Sequence, residues 1–186
     1  MKKTSKKLNK AVKIIAKIFE IVHWAGIGIM IAMAICAVAA TEWLTSNLDI
    51  GNNTHMSFYG YEVSFVNSVG GVETKALLMF AIGAAAICPL MAMIFRNIYL
   101  IFKLSESSTP FCKDNIRMVK EMGIFSIAIP VVGLIMGIIT GFVIGLVKVE
   151  HVSVNATGII IGLIALAMTQ FFVHGAELEQ DTDGLV

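Results

Sequence analysis

The chain has 186 residues, of which 57% are hydrophobic and 15% are charged, and its formal net charge is +1. A soluble domain of this size would expose much of that apolar surface to water, so the composition excludes a soluble globular protein. Four stretches lack Asp, Glu, Lys and Arg: residues 21–41, 76–95, 122–147 and 152–173. At about 1.5 Å per residue, each can cross about 30 Å of hydrocarbon as one helix. The sequence therefore predicts an all-α membrane protein with four transmembrane helices.

The distribution of basic residues predicts how these spans are oriented. Of 14 Lys and Arg residues, seven lie in residues 1–20 and five in residues 96–121, whereas only Lys75 and Lys148 lie on the other side. Because basic residues favour the cytoplasmic side, both termini and residues 96–121 are expected inside. Residues 42–75 then form an external loop and residues 148–151 an external turn. The expected localisation is the cell (inner) membrane, with the chain crossing the lipid bilayer four times.

Residues 1–20 have the pattern of an amphipathic helix. Apolar residues recur at helical spacing and lysines form a stripe on another face: Leu8, Val12, Ile15 and Phe19, and Lys6, Lys10, Lys13 and Lys17. Two interpretations remain open. The segment either binds anionic lipid or a partner, or it extends the first span with lysines that reach the interface and fix the topology.

The external loop contains the signal of a short β-hairpin. Residues 56–65 combine β-favouring aromatic residues and Val on both sides of Gly60. A loop of this length is too small for an independent catalytic domain. We expect a hairpin standing on the membrane, as a lid over the external helix ends or as a sensor of a ligand.

Glycines recur every four residues in the last two spans. The third span has Gly133, Gly137, Gly141 and Gly145, and the fourth span has Gly158 and Gly162. This spacing places the glycines of one helix on one face, where a neighbouring helix can approach closely. With only residues 148–151 between the spans, a tight antiparallel pair within one chain is expected. A homodimer formed through the same face is the alternative.

The spans contain few residues that indicate catalysis, ion transport or cofactor binding. An ion- or proton-coupled pump needs ionisable groups within the membrane, and the charge-free stretches argue against one. His23 and His174 are expected at similar depth near the cytoplasmic ends, each with a glutamate three residues away, Glu20 and Glu177. Their spacing provides no second pair of metal or haem ligands. No phosphate-binding loop or nucleophile motif is present. We therefore predict no enzyme activity, no metal and no cofactor, and keep a haem or metal membrane protein as the third hypothesis.

Two predicted cytoplasmic segments have more pattern than the spans. Residues 105–121 contain a Ser/Thr/Pro turn followed by a basic, apolar helix, and residues 174–186 contain four acids and no Lys or Arg. An acidic tail can compete for the basic surface of a DNA-binding protein. The candidate partner-binding residues in these segments are Pro110, Phe111, Asn115, Arg117, Glu177, Leu178, Glu179, Asp181 and Asp183.

The same motifs resemble a family of small bacterial integral membrane proteins catalogued as domain of unknown function 2975. The resemblance rests on the Pro110-Phe111 turn with Asn115, the helix from Arg117 to Gly123, and the tail that begins at Gly175. Members are often encoded beside a small helix-turn-helix regulator of the Cro type. The resemblance thus implies a membrane partner that binds or restrains such a transcriptional regulator, without contacting nucleic acid itself. A small-molecule permease or efflux component, which requires a polar cavity at mid-membrane, is the alternative.

Overall fold

The computed structural model describes residues 2–40, 42–43, 55–65, 73–107, 109–144 and 156–183. In chain order these residues form helix α1 (Lys2–Ala39), strands β1 (His55–Phe58) and β2 (Tyr61–Ser64), and helices α2 (Thr74–Leu104), α3 (Lys113–Ile144) and α4 (Ala156–Asp183). Within the described ranges, α1 to α4 are the four helices long and apolar enough to cross a membrane. This confirms the predicted multi-pass architecture, whereas the side on which the termini lie stays a prediction.

All four helices continue beyond the charge-free stretches at the ends that the charge pattern assigns to the cytoplasm. Helix α1 includes the lysine-rich start, and α4 includes most of the acidic tail as far as Asp183. Residues 176–180 of the tail are Ala, Glu, Leu, Glu and Gln, all strong helix formers. The amphipathic start is therefore continuous with the first helix, and the tail is helical, whereas both interpretations of the lysine stripe stay predictions.

The strands form an antiparallel two-stranded sheet joined by the two-residue turn Tyr59-Gly60. Both turn residues have positive φ angles, 50° at Tyr59 and 88° at Gly60. The tightest hairpin turn whose twist matches that of the strands requires this left-handed conformation at both positions. Glycine adopts it without steric cost, which explains the position of Gly60. The hairpin predicted over residues 56–65 is thus confirmed.

The contacts divide the chain into two compact units. Unit 1 comprises Met1–Val22, Leu90–Ala128 and Thr157–Val186, and unit 2 comprises His23–Pro89 and Ile129–Ala156. Each of the four helices contributes residues to both units. The hairpin belongs to unit 2, whereas the predicted partner-binding residues belong to unit 1.

In unit 1, α1 packs along the second half of α2 through aromatic side chains. The rings of Phe19 and Phe95 are stacked with centroids 5.0 Å apart. The ammonium of Lys17 lies 5.4 Å from the centre of the Tyr99 ring, within the range of a cation–π interaction. One lysine of the stripe on α1, Lys17, therefore contacts the neighbouring helix α2.

Helices α3 and α4 cross closely in unit 1 at a pair of glycines. A Cβ atom on Gly162 would lie 2.7 Å from the carbonyl oxygen of Gly123 and 2.5 Å from Cγ1 of Ile127. A Cβ atom on Gly123 would lie 3.0 Å from the carbonyl oxygen of Gly162. Gly162 thus packs against the preceding helix, as the spacing predicts, but its partner is Gly123, which the spacing did not identify. Gly145 and the turn at residues 148–151 lie outside the described residues.

Candidate functional site

Phe111 joins the turn between α2 and α3 to the last part of α4. Its ring lies against Gly175, where a Cβ atom would be 2.5 Å from Cε1 of Phe111. The ring centroid of Phe172, one turn earlier in α4, is 5.9 Å away. A residue without a side chain is needed at position 175 to let the ring approach the helix. This contact holds two of the sequence-predicted segments together.

Asn115 has a structural role in the same turn. Its side chain is only 4% exposed, and its Nδ2 donates hydrogen bonds to the carbonyl oxygens of Pro110 at 3.3 Å and Thr109 at 3.5 Å. The side chain therefore fixes the turn from inside at the start of α3. Its low exposure gives the Asn115 side chain little surface to offer a partner, and a partner contact at this residue stays a prediction.

Arg117 lies on the exposed side of α3. Its guanidinium is 3.8 Å from the carboxylates of Asp114 and Glu121, so both ion pairs are long. Glu121 also accepts a hydrogen bond of 3.0 Å from Nδ2 of Asn97. Since the side chain of Arg117 is 68% exposed, its guanidinium remains accessible to a partner.

The end of α4 presents acids to solvent. Glu177, with a side chain 65% exposed, pairs with Nδ1 of His174 at 3.0 Å, and Asp181 is also exposed. Leu178 is 67% exposed between these acids, which is unusual for a large aliphatic residue at a polar helix end. The last turn of α4 contains no basic residue. The side chain of Asp183 lies outside the described part of the chain.

We call residues 109–117 and 174–182 the loop–tail surface. The structure brings together on it most of the predicted partner-binding residues: Pro110, Phe111, Arg117, Glu177, Leu178, Glu179 and Asp181. Among these, Phe111 positions the surface, and the others lie at intermediate or full exposure. Gly175 and Phe172, which hold Phe111, were not predicted as site residues. In the sequence, the two small residues Gly175 and Ala176 before the acids were the pattern from which a close contact with α4 could have been predicted.

In unit 2, the hairpin is inserted between helices through Tyr61. The side chain of Tyr61 is 1% exposed, and its ring covers Gly83 so closely that a Cβ atom there would overlap it. A Cβ atom on Gly133 would be 3.7 Å from Cβ of Tyr61. Gly133 therefore faces the hairpin, a different partner from the helix that its spacing suggested. Gly137 and Gly141, on the same face of α3, are buried as well.

The Tyr61 hydroxyl has two hydrogen-bonding partners, the carbonyl oxygen of Met79 at 3.0 Å and Oγ1 of Thr140 at 2.8 Å. Thr140 is 2% exposed, and its Oγ1 also lies 2.7 Å from the carbonyl oxygen of Met136 in its own helix. The two hydroxyl groups carry one proton each, so two of these three contacts are hydrogen bonds at any one time. The hydroxyl thus links the hairpin to α2 and α3 at once. Burial raises the pKa of Tyr61, so the phenol stays neutral.

The tip of the hairpin reaches far along α1. The hydroxyl of Tyr59 lies 2.8 Å from Nε2 of His23, and burial also raises the pKa of Tyr59. His23 is 16 residues before the end of α1 at Ala39, a distance of about 24 Å along a helix. The expected lid standing over the helix ends is therefore replaced by a hairpin that enters among the helices. Strand β2 is the strand that packs against the helices, with Tyr61 and Val63 buried, whereas His55 and Ser57 of β1 are exposed.

The two histidines of the metal hypothesis belong to different units and have different partners. His23, 6% exposed, is bonded to Tyr59 in unit 2, whereas His174 pairs with Glu177 in unit 1. Glu20 pairs with Lys17 at 3.0 Å. Within the described ranges, no group of three or more His, Cys, Asp or Glu residues is arranged to hold a metal ion.

Comparisons of the chain with models of known families, with curated proteins and with solved structures found no match. The resemblance to the family of unknown function therefore stays a prediction from the motifs quoted above. The geometry of the two units is the remaining basis for assigning a function.

Proposed function

We propose that this chain is a non-enzymatic protein of a bacterial inner membrane that binds a cytoplasmic helix-turn-helix transcriptional regulator through the loop–tail surface. The observation that supports this best is the contact of Phe111 with Gly175. It unites two segments, far apart in sequence, that were predicted separately as contact regions. A turn and a helix end held together in this way offer a partner a preformed surface, which lowers the entropic cost of binding.

The chemistry of the surface suits a basic partner. Glu177 and Asp181 are exposed on α4; Glu177 is bonded to His174, and the last turn of the helix, which includes Asp181, contains no basic residue. DNA-binding proteins present Lys and Arg to phosphate groups, and an acidic helix offers the same attraction. Binding of the regulator to the membrane protein and to DNA would then be mutually exclusive.

Leu178 adds an apolar anchor to the acidic helix end. Because the Leu178 side chain is 67% exposed, it contributes little to the stability of the free protein. Protein interfaces obtain most of their binding free energy from a few residues of this kind that become buried in the complex. The neighbouring charges then select the partner and its orientation. We expect Leu178 to contribute to affinity and the acids to the rate and salt dependence of binding.

The structure gives less support to the permease or efflux alternative. That hypothesis requires a polar cavity among the spans. In the described part of unit 2, the buried hydroxyl of Tyr61 bonds to protein, at Met79 and Thr140, and the partly exposed Tyr59 bonds to the buried His23. A side chain that fills the space between helices favours a binding or sensing role for the hairpin over conduction.

The test uses the full chain purified in detergent and, as the probe, the Cro-type regulator encoded beside its gene. Binding is measured by biolayer interferometry for the wild type and for a variant with Glu177, Glu179 and Asp181 replaced by the corresponding amides. We expect the variant to bind at least about tenfold more weakly, since close charge pairs across interfaces couple by roughly 1.5 kcal/mol or more. Phe111→Ala, which detaches the turn from α4, should also weaken binding.

A matched control removes three acids from unit 2, through Glu42→Gln, Glu62→Gln and Glu73→Gln together. This variant changes the net charge equally and should bind like the wild type. Unchanged binding of the α4 variant would remove the loop–tail surface from the proposal. A gene neighbourhood without any helix-turn-helix protein would remove the reason for choosing this class of partner.

A further inference from the structure

A groove lies between α3 and α4 in unit 1, next to the loop–tail surface, with which it shares Ile116. Its volume is about 420 Å³, and its lining residues are Ile116, Lys120, Leu166, Thr169, Gln170 and Val173. Along the two helices, these residues lie between two close contacts, the glycine crossing at Gly123 and Gly162 and the contact of Phe111 with Gly175. The helices are therefore held at both ends of the groove and leave space between. The volume falls in the range of about 300–1,000 Å³ typical of sites for small ligands.

The groove has apolar walls and a polar mouth. Ile116, Leu166 and Val173 provide the walls at intermediate exposure. The hydroxyl of Thr169 does not contribute polarity, because it donates to the carbonyl oxygen of Ala165 at 2.9 Å in its own helix. The exposed polar groups are the ammonium of Lys120 and the amide of Gln170.

Lys120 is a cation without an anionic partner in the part of the chain that the structure describes. Arg117, one turn earlier on α3, lies near Asp114 and Glu121, but no salt bridge or hydrogen bond engages Lys120 among the described residues. A positive charge at the mouth of an apolar groove is complementary to a ligand with a negative head and an apolar tail.

The position of the groove along the helices indicates that the available amphiphilic ligand is a lipid of the bilayer. Lys120 comes two residues before the charge-free stretch 122–147, and Gln170 comes three residues before the end of the stretch 152–173. Both polar groups are thus placed at the end of a membrane span, where headgroups meet hydrocarbon, and lysines at this level attract anionic lipid. From there Leu166 continues the apolar wall into the span, whereas Ile116 and Val173 flank the two polar groups on the side away from the spans.

We propose that this groove is a binding site for one anionic phospholipid of the bilayer. An acyl chain lies along Leu166 towards the span, Ile116 and Val173 enclose the glycerol end of the lipid, and the headgroup phosphate accepts hydrogen bonds from Lys120 and Gln170. The site needs no regulator, so it is independent of the proposed function. A bound lipid would fill the space between α3 and α4 and hold their spacing next to the Phe111 contact.

The experiment uses the full chain in a neutral detergent and adds phosphatidylglycerol or phosphatidylcholine with identical acyl chains. Native mass spectrometry measures the retained lipid, and thermal unfolding measures the stabilisation. We expect preferential retention of phosphatidylglycerol. Lys120→Gln should weaken it about fivefold, the effect of removing one cation next to an anionic headgroup, and should leave phosphatidylcholine retention unchanged. Lys120→Arg should keep the preference.

Two further variants separate this site from general charge effects. Lys113→Gln removes an exposed lysine at the start of the same helix and should leave the preference for phosphatidylglycerol intact. Ile116→Trp fills the groove without changing charge and should lower the retention of both lipids. Unchanged retention of phosphatidylglycerol in both Lys120→Gln and Ile116→Trp would overturn the proposal.

Two other outcomes would also overturn it. Equal binding of free glycerol phosphate and phosphatidylglycerol would show a phosphate site that does not use the apolar walls. Loss of regulator binding in Lys120→Gln with unchanged lipid retention would assign the groove to a protein partner. Failure of the regulator experiment alone would leave the lipid measurements unaffected, so the two proposals fail separately.

Discussion

Replacing Tyr61 by Phe would remove one hydroxyl group from the interior of unit 2 and leave the aromatic ring in place. The hydroxyl lies 3.0 Å from the Met79 carbonyl and 2.8 Å from Oγ1 of Thr140, which also lies near the Met136 carbonyl. Because two protons serve these three contacts, removing the phenol proton removes one hydrogen bond. Thr140 can still donate to Met136, and the Met79 carbonyl keeps the bond of its own helix, so neither becomes an orphan. We therefore expect a loss of about 0.5–1.5 kcal/mol, the net contribution of one buried hydrogen bond.

Two companion variants separate the hydroxyl from the ring. Tyr61→Ala also removes the stacking on Phe80, at 5.8 Å between centroids, and the cover over Gly83, so it should cost about 3–5 kcal/mol. Thr140→Val removes the partner hydroxyl at constant shape. Because the two hydroxyl groups bond to each other, the double variant with Tyr61→Phe should cost less than the sum of the two single changes, by about 0.5 kcal/mol or more.

The assay is reversible unfolding of the purified chain in mixed micelles, followed by circular dichroism. Tyr99→Phe is the matched control, because the Tyr99 hydroxyl makes no hydrogen bond among the described residues and its ring contacts Lys17 through the π face. Its cost should stay within about 0.5 kcal/mol. Equal costs for Tyr61→Phe and Tyr99→Phe, or strictly additive effects in the cycle with Thr140, would refute the hydrogen-bonded insertion of the hairpin.

Two more predictions follow from close packing and from burial. Gly162→Ala places a methyl group 2.7 Å from a carbonyl oxygen of the neighbouring helix and should lower stability by about 1–3 kcal/mol, whereas Gly28→Ala, with open space around it, should not lower the unfolding midpoint. Burial raises the pKa of Tyr59 and Tyr61 above their ordinary value of 10.0, so the unfolded chain loses these protons first. Stability should stay level below about pH 10 and fall as the pH rises further, in parallel with phenolate absorbance; a midpoint that is constant through this range would contradict the burial of both phenols.

The features that could be predicted from the sequence are those specified by local pattern. Long charge-free stretches specify spans because unpaired backbone polar groups are costly in hydrocarbon, whichever helices become neighbours. The hairpin was predictable because β-favouring residues flank Gly60, which alone supports the left-handed turn without strain. The helical extension of the tail is likewise local, since residues 176–180 favour a helix wherever they lie.

The partners of these elements could not be read in the same way. Regular spacing shows that Gly133 belongs to a close-packed face, but it does not show which element approaches that face. The structure places Tyr61 of the hairpin there, a residue 72 positions away in the chain. Such a contact depends on the shape of the space between helices, which no local pattern encodes.

Asn115 illustrates the same limit at the candidate site. Polarity at a turn before a helix suits both a partner contact and an internal hydrogen bond to backbone, and Asn is common in both roles. Which role it takes depends on burial and on the atoms within reach, and the structure leaves Asn115 4% exposed and bonded to the carbonyl oxygens of Thr109 and Pro110. For Arg117 and Glu177, the long side chains and the exposed helix faces left them on the surface as predicted.

The end of α4 connects its stability with the proposed function. Asp181 lies in its last turn, where the partial negative charge of the helix end makes an acid unfavourable by about 0.3–1 kcal/mol. The helix persists through helix-forming residues and the contact of Gly175 with Phe111. A cationic partner that covers this end would remove the repulsion and gain roughly 0.3–1 kcal/mol, a factor of about 2 to 5 in affinity. Because salt screens exposed charges beyond about 8–10 Å, this part of the affinity should decrease as ionic strength rises, whereas the contribution of Leu178 should not.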